Sequence, residues 1–355
     1  MDAGTDTNSA ARPRGDDDRD AGADRAPLVV VGVDGSSGSR GALVHALITA
    51  AQRGARLEVV AAYPETLVWT GGYPLDVPDM DAVRDDAATR ATAFLAEVQA
   101  DPAVVAAGTN AVDARVVVVA GRAVKVLLQR AVGADLLVVG SRGRGAMRSA
   151  LLGSVALHCV SNPPCPVVVV RPQPVSVPPE VPPRVVVGVD GSAASRAALL
   201  AGVDEAARTG AELDVVAAYV LTDYWVDLGS VLLPSVDQIR ADLQRRTDQQ
   251  VAAVLGARPA GAVVPPVTTD LVEGPAGEVL VHRARGADLL VVGSAGRGAV
   301  RGLLLGSVAL HCAMHGTGPV MVVHSRRGRP AVPAPRQRPA MADRRPTVAG
   351  PDGGG

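Results

Sequence analysis

The residues of this chain most suggestive of chemistry are glycines that recur at a fixed spacing. The segment VVGSRGRGAMRSALLGSVALHC (138–159) is repeated as VVGSAGRGAVRGLLLGSVALHC (291–312), and both contain G-x2-G-x9-G-S. Glycines lack a Cβ and let backbone N–H groups approach an anion, while a helix that begins at the final Gly-Ser adds unpaired N–H groups and a positive dipole end. The pattern therefore predicts a phosphate site in each copy.

A simpler interpretation is that the glycines only permit a tight turn from strand to helix. Such a turn needs the local glycines and not a Gly-Ser ten positions further on. Duplication alone can preserve a pattern, so recurrence supports the phosphate site without proving it. Arginines 142, 144 and 148 add positive charge in the first copy, but Ala295 replaces Arg142 in the second. We therefore expect backbone N–H groups to dominate binding and the two sites to differ in affinity.

Two acidic residues and two histidines accompany the glycines. Asp34 and Asp190 lie in VGVDGS and VGVDGSA, where a carboxylate can bind a ribose hydroxyl or a metal ion, or can only organise the turn. The ligand role is favoured here, and the turn role stays open. His158 and His311 have no acidic residue nearby in sequence, so we expect packed or surface positions and not catalytic bases.

Longer repeats show that each copy is a domain. VVVGVDGSSGSRGAL (29–43), GARLEVVAAY (54–63) and GADLLVVGS (133–141) recur at 185–199, 210–219 and 286–294. We predict domains over 27–172 and 183–324, joined by a proline-rich linker at 173–182. The tails, 1–26 and 325–355, are rich in Asp and Ala or in Arg, Pro and Gly, and are expected to be disordered.

Each domain alternates apolar strands with helices, including one helix over about Val83–Val105 in the first. This predicts an α/β protein with two tandem, doubly wound, open parallel five-stranded sheets, Rossmann-like, with strand order 3-2-1-4-5 and helices on both faces. Ligands of such sheets bind between strands one and four, at the carboxyl ends. The fifth strands, PVVVV and PVMVV, are apolar edges, so we expect the domains to pair along them around a pseudo-twofold axis. Further self-association is left open.

Composition excludes several classes of protein. The 355 residues carry 35 basic and 36 acidic side chains and only 2% aromatics, which disfavours nucleic-acid binding. The N-terminus has no apolar signal region and no apolar run approaches membrane length, so a soluble cytoplasmic protein without membrane contact is expected. Three cysteines, Cys159, Cys165 and Cys312, are too few for a disulfide framework or a zinc site and are expected to be small buried hydrophobes.

G-x2-G-x9-G-[ST] after DLLVVGS resembles the ATP-binding signature of the universal stress protein family, and VGVDGS and PVVVV fit as well. The resemblance covers both domains, and the chain is similar to the tandem-domain members of the family found in actinobacteria. It implies one ATP site per domain, formed in the first by Gly32, Val33, Asp34, Ala62, Gly140, Gly143, Arg144, Gly145, Gly153, Ser154 and Val155. In the second it implies Gly188, Val189, Asp190, Ala218, Gly293, Gly296, Arg297, Gly298, Gly306, Ser307 and Val308. Ser141, Arg142 and Ser294, in the same loops, complete the predicted set.

Enzyme signatures are absent from the sequence. There is no GxxxxGK[ST], GxSxG or HExxH, and no acid–base pair lies near the glycine motif. The expected function is a non-enzymatic ATP-dependent regulatory or stress-response protein whose state is read by an unidentified protein partner. A slow ATP hydrolase of the nucleotide-alpha-hydrolase type, and a structural module without nucleotide, are the alternatives. No metal ligands are predicted, and whether Mg²⁺ accompanies ATP is left open.

Overall fold

The computed structural model describes residues 26–65, 79–143, 152–172, 182–220, 235–296 and 305–325. The first repeat contains β1 (Leu28–Val33), α1 (Ser37–Arg53), β2 (Arg56–Tyr63), α2 (Met80–Gln99), α3 (Pro102–Ala106), a short 3-10 turn (Thr109–Ala111), β3 (Ala114–Ala120), α4 (Ala123–Arg130), β4 (Leu136–Gly140), α5 (Ser154–Ser161) and β5 (Val167–Val170). The second contains β6 (Arg184–Val189), α6 (Ala193–Thr209), β7 (Glu212–Tyr219), α7 (Val236–Gly256), β8 (Val267–Glu273), α8 (Ala276–Arg283), β9 (Leu289–Gly293), α9 (Ser307–His315) and β10 (Val320–Val323). The predicted linker and tails lie almost entirely outside the described residues.

The strands form one ten-stranded sheet in the order β3-β2-β1-β4-β5-β10-β9-β6-β7-β8. Each half has the predicted order 3-2-1-4-5 with parallel neighbours. The halves meet through β5 and β10, which pair antiparallel. The predicted pairing of the fifth strands is therefore confirmed, and it joins the two predicted sheets into one.

The continuous valine runs of the strands follow from burial on both faces. Along β1, Val29 and Val31 contact the core cluster that includes α1, α2, α6 and α7, while Val30 belongs to the cluster on the opposite face with α4, α5, α8 and α9. A strand covered on both sides needs apolar residues at every position, which explains the absence of alternation. Within the described residues, no helix combines the length and apolarity needed to cross a bilayer.

Helix boundaries follow local capping chemistry. The hydroxyl oxygens of Ser36 and Ser192 cap α1 and α6, because each accepts the backbone N–H of the residue three positions later. Each helix ends at a glycine in the left-handed region. The single helix predicted over Val83–Val105 is wrong, because α2 stops at Gln99 and α3 begins separately at Pro102. Proline lacks an N–H and disfavours helical geometry at the preceding residue, so the chain turns extended at Asp101, which caps α3.

Candidate functional site

A cavity opens at the carboxyl ends of the strands in each half of the sheet, with volumes of about 840 Å³ and 700 Å³. Both lie at the point where the strand order reverses, as the sequence predicted. Predicted residues that line the first cavity are Gly32, Val33, Asp34, Ala62, Gly140, Arg142, Gly143, Gly153, Ser154 and Val155. Those that line the second are Gly188, Val189, Asp190, Ala218, Gly293, Gly296, Gly306, Ser307 and Val308. The fold thus brings together segments more than 100 residues apart in sequence.

Two of the predicted residues that the structure describes, Ser141 and Ser294, do not line these cavities. Ser141 and Ser294 are 0% and 4% exposed and lie behind the lining. Their carbonyls accept the N–H groups of Gly153 (2.7 Å) and Gly306 (2.6 Å), so they tie each loop to the helix that follows. Four other predicted residues, Arg144, Gly145, Arg297 and Gly298, fall outside the described residues.

The first glycine of each motif is required by packing. A Cβ on Gly140 would lie 2.6 Å from the carbonyl oxygen of Gly38, and one on Gly293 would lie 2.6 Å from the carbonyl carbon of Ala194. Both neighbours belong to the first turn of the helix after strand one, and backbone atoms cannot yield as a flexible side chain can. The absence of a side chain at these two glycines therefore lets the loop pack closely against α1 and α6. The sequence reasoning missed this role because it depends on a three-dimensional contact.

Each of the two acidic residues, Asp34 and Asp190, uses one carboxylate oxygen in a turn and places the other beside a glycine of the motif. Oδ1 of Asp34 accepts the N–H of Ser36 at 3.0 Å, and Oδ1 of Asp190 accepts that of Ser192 at 2.9 Å. This is the turn-organising role that the sequence left open. The other oxygen of Asp34 lies beside Gly143, where a Cβ would be only 2.5 Å away, and Gly296 has the same relation to Asp190 at 2.7 Å. The second glycine of each motif thus admits the carboxylate at the cavity wall.

The N-termini of α5 and α9 face the cavities without side-chain caps. Gly153 and Gly306 are the extended N-cap residues, and their own N–H groups are already bonded to Ser141 and Ser294. Helix geometry leaves the next N–H groups, beginning with those of Ser154 and Ser307, without intrahelical acceptors. Such groups, at the positive end of a helix dipole, form an anion site.

The side walls differ between the cavities. Helix α2 contributes Phe94 and Glu97 to the first, and α7 contributes Thr247 and Gln250 to the second, at positions 153 residues later. Glu97 is paired with Arg40 at 2.7 Å, whereas the Gln250 amide donates to Ser195 Oγ at 3.4 Å. The sequence reasoning did not find these wall residues, since α2 and α7 carry no recognisable repeat.

The charged side chains among the described lining residues are Asp34, Arg90, Glu97 and Arg142 in the first cavity and Asp190 and Arg246 in the second. The lining includes no histidine, cysteine or lysine, and no group of three or more potential metal ligands is present among them. His158 is exposed with its ring against the Ser154 carbonyl at 2.7 Å, while His311 packs on Gly277 and on the ring of His315. Both histidines therefore occupy surface or packed helix positions, as predicted.

The cysteines are structural. Cys159 and Cys312 are buried in the core cluster beneath α5 and α9, and Cys165 packs against it. Burial raises the pKa of each of the three thiols to about 12, which keeps them protonated and unreactive.

Fold and cavities together define a tandem α/β protein of the doubly wound class, with a ligand-sized cavity at the switch point of each half. The model of the universal stress protein family matches residues 28–171 and 183–324, and the chain belongs to this family.

Individual relatives agree with this assignment. A universal stress protein of Mycobacterium tuberculosis is 34% identical over 289 residues, covering 80% of this chain and 94% of the relative. A universal stress protein of Mycolicibacterium smegmatis is 32% identical over 306 residues, covering 84% and 97%. The crystal structure of a universal stress protein from Archaeoglobus fulgidus covers 84% of this chain and 98% of its own, with a TM-score of 0.58 and 22% identity, which shows a shared fold.

Proposed function

We propose that this chain is a non-enzymatic, ATP-binding regulatory protein of the stress response, with one nucleotide site in each half. The observation that supports this most is the presence, in both cavities, of a glycine loop facing the uncapped N-terminus of a short helix. Volumes of about 840 Å³ and 700 Å³ are within the range of about 300–1,000 Å³ common for small-molecule sites.

The residues present fit a nucleotide with its phosphates toward the helix N-termini. Ser154 and Val155 in the first cavity, and Ser307 and Val308 in the second, would offer backbone N–H groups to the phosphates. Arg142 adds charge to the first cavity alone. The adenosine would lie along the ends of the first two strands, with Ala62 or Ala218 meeting the adenine edge through main chain. Asp34 and Asp190 would accept a ribose hydroxyl or help to hold Mg²⁺.

The composition of the lining supports the proposal of regulation without catalysis. Phosphate hydrolysis needs a group that activates water, and the described lining offers no histidine, cysteine or lysine for that task. Its carboxylates are each bonded to a protein group, Asp34 and Asp190 to the N–H groups of Ser36 and Ser192, and Glu97 to Arg40. A ligand that binds only the folded state stabilises it by mass action, so occupancy can fix one conformation for a protein partner to read. The partner is proposed only as a protein that distinguishes the occupied from the empty form.

The test begins with purified full-length protein, denatured so that bound nucleotide is released and identified by chromatography. Calorimetric titration of nucleotide-free protein with ATP, with and without Mg²⁺, then gives affinity and stoichiometry. Protein that carries no nucleotide and shows no ATP binding would contradict the proposal. Multiple-turnover ATP consumption that one point substitution abolishes would show an enzyme instead.

A further inference from the structure

Arg171 of the first half contacts the end of α9 in the second half. It directly follows β5, and its guanidinium donates to the carbonyl of Met314 in the last turn of α9. The last carbonyls of a helix lack intrahelical donors, and a cation there also complements the negative dipole end. A residue of the first half thus caps the C-terminal end of the helix whose N-terminus lines the second cavity.

Val170, the residue before Arg171, is hydrogen-bonded to the loop of the first cavity. The N–H of Ser141 donates to the carbonyl of Val170 at 2.7 Å, which joins the loop that carries Arg142 to the segment that carries Arg171. Arg142 itself lines the first cavity. This hydrogen bond connects the loop of the first cavity to the end of β5.

Two glycines one turn apart on α1, Gly38 and Gly41, leave room for the backbone carbonyls of Arg142 and Arg171. A Cβ on Gly38 would lie 2.1 Å from the carbonyl oxygen of Arg142, and one on Gly41 would lie 3.2 Å from that of Arg171. The corresponding residues of α6 are alanines, Ala194 and Ala197. The second half also has Ala295 and His324 where the first has Arg142 and Arg171. The two glycines and the two arginines thus occur together in the first half.

The charges of the two arginines oppose each other. Burial, and then the positive charge of Arg142, lowers the pKa of the Arg171 guanidinium. A phosphate bound beside Arg142 would cancel this repulsion, because it brings negative charge to the same region. The contact between Arg171 and the end of α9 would then strengthen, and with it the positioning of the N-terminus of α9 in the second cavity.

We propose that Arg171 is a positioning residue through which an anionic ligand in the first cavity tightens ligand binding in the second. The proposal rests on the proposed function, since it requires ATP in both cavities. Coupling between two sites is typically worth about 5-fold to 150-fold in affinity, and it is reciprocal. Filling the second cavity must therefore tighten the first by the same factor.

The experiment uses the full chain and calorimetric titration with ATP. Gly153→Val is designed to block the first cavity, and it is expected to lower the ATP affinity of the second cavity by about fivefold or more. Gly306→Val is designed to block the second cavity, and it is expected to lower the ATP affinity of the first cavity by the same factor. In an Arg171→Met background, blocking one cavity should leave the other unchanged. Arg171→Lys retains a donor and a charge for the Met314 carbonyl and should restore part of the coupling.

A matched control separates coupling from stability. Arg53→Met removes another cross-domain contact, the ion pair of Arg53 with Glu205, without touching α9, so it should lower stability and keep the coupling. If the second cavity binds ATP equally well with the first cavity blocked or filled, the coupling proposal is overturned and the proposed function is not. The same holds if Arg53→Met loses the coupling to the same extent as Arg171→Met. Absence of ATP binding in the unmodified chain would overturn both the coupling and the proposed function.

Discussion

Val168 and Met321 stand directly opposite each other in the antiparallel pair of β5 and β10, and they are the third residues of PVVVV and PVMVV. Equivalent residues of the two repeats therefore face each other, and the flanking pairs, Val167 with Val322 and Val169 with Val320, exchange places across this point. That reciprocity is the mark of a twofold axis, as in the interface of a symmetric dimer. The chain has the sheet of such a dimer within one covalent molecule.

The centre of this seam should be sensitive to lost volume. Met321 is 2% exposed, so Met321→Ala is expected to lower the free energy of unfolding by about 2–5 kcal/mol. Met321→Val makes the two strands identical and should cost less than about 1.5 kcal/mol. Urea denaturation measures both, and an alanine variant as stable as the valine variant would show that the seam is loosely packed.

The two glycines at either end of the motif should respond differently to alanine. Gly140→Ala places a Cβ against the backbone of α1 and is expected to cost about 1–3 kcal/mol of stability. Gly153→Ala has its nearest contact at 3.4 Å, which is ordinary packing, so the fold should stay within about 1 kcal/mol of the parent. Urea denaturation of both variants, with ATP titration of the second, tests this. Undiminished stability in Gly140→Ala would contradict the packing role.

Arg142 should account for part of the difference between the two sites. Arg142→Ala gives the first cavity the residue that the second has at this place, and the loss of one charge-assisted contact is expected to weaken ATP binding there by about tenfold. The converse change, Ala295→Arg, should tighten the second cavity. Calorimetry with the other cavity blocked measures each effect. Unchanged affinities in both variants would mean that backbone groups alone hold the phosphates.

His45 should make stability depend on pH. Burial, and then the positive charge of Arg53, lowers the pKa of this histidine from 6.5 to about 4. Between these values the unfolded chain binds more protons than the folded one, so the free energy of unfolding falls as the pH decreases from about 6.5 toward 4. His45→Gln should remove this contribution. Urea titrations at several pH values test it, and parallel pH profiles for the two proteins would refute it.

The ion pair between Arg53 on α1 and Glu205 on α6 should contribute to joining the halves. The two side chains are 12% and 10% exposed, and removing one partner of a buried pair costs about 3–5 kcal/mol. Glu205 also contacts Arg208 at 2.8 Å, so Arg53→Met should fall near the lower end of that range. Arg245→Met breaks an exposed pair with Asp242 and should cost less than about 1 kcal/mol. Thermal or urea unfolding compares them, and equal costs would contradict the burial argument.

Much of the fold was readable because the constraints are local or repeated. The valine runs of β1 and β4 indicate buried parallel strands, and the apolar β5 and β10 indicate paired edges. The rule that places ligands at the switch point predicted that VGVDGS and the glycine loop would meet, and the resemblance to the universal stress protein family implied the individual cavity residues. The break at Pro102 was missed, although proline and the preceding aspartate signal it.

Other features depend on contacts that a single sequence does not display. The need for glycine at Gly140 arises only when the loop meets α1. Glu97 and Gln250 lie on half-exposed helices, where few residue types are excluded and no pattern marks them. The contact of Arg171 with Met314 exists only once the two halves have joined.

The antiparallel seam also fixes the directions in which the two cavities open. All strands of one half end at one edge of the sheet, and all strands of the other half end at the opposite edge. A group bound in one cavity therefore lies at the opposite end of the strands from a group bound in the other.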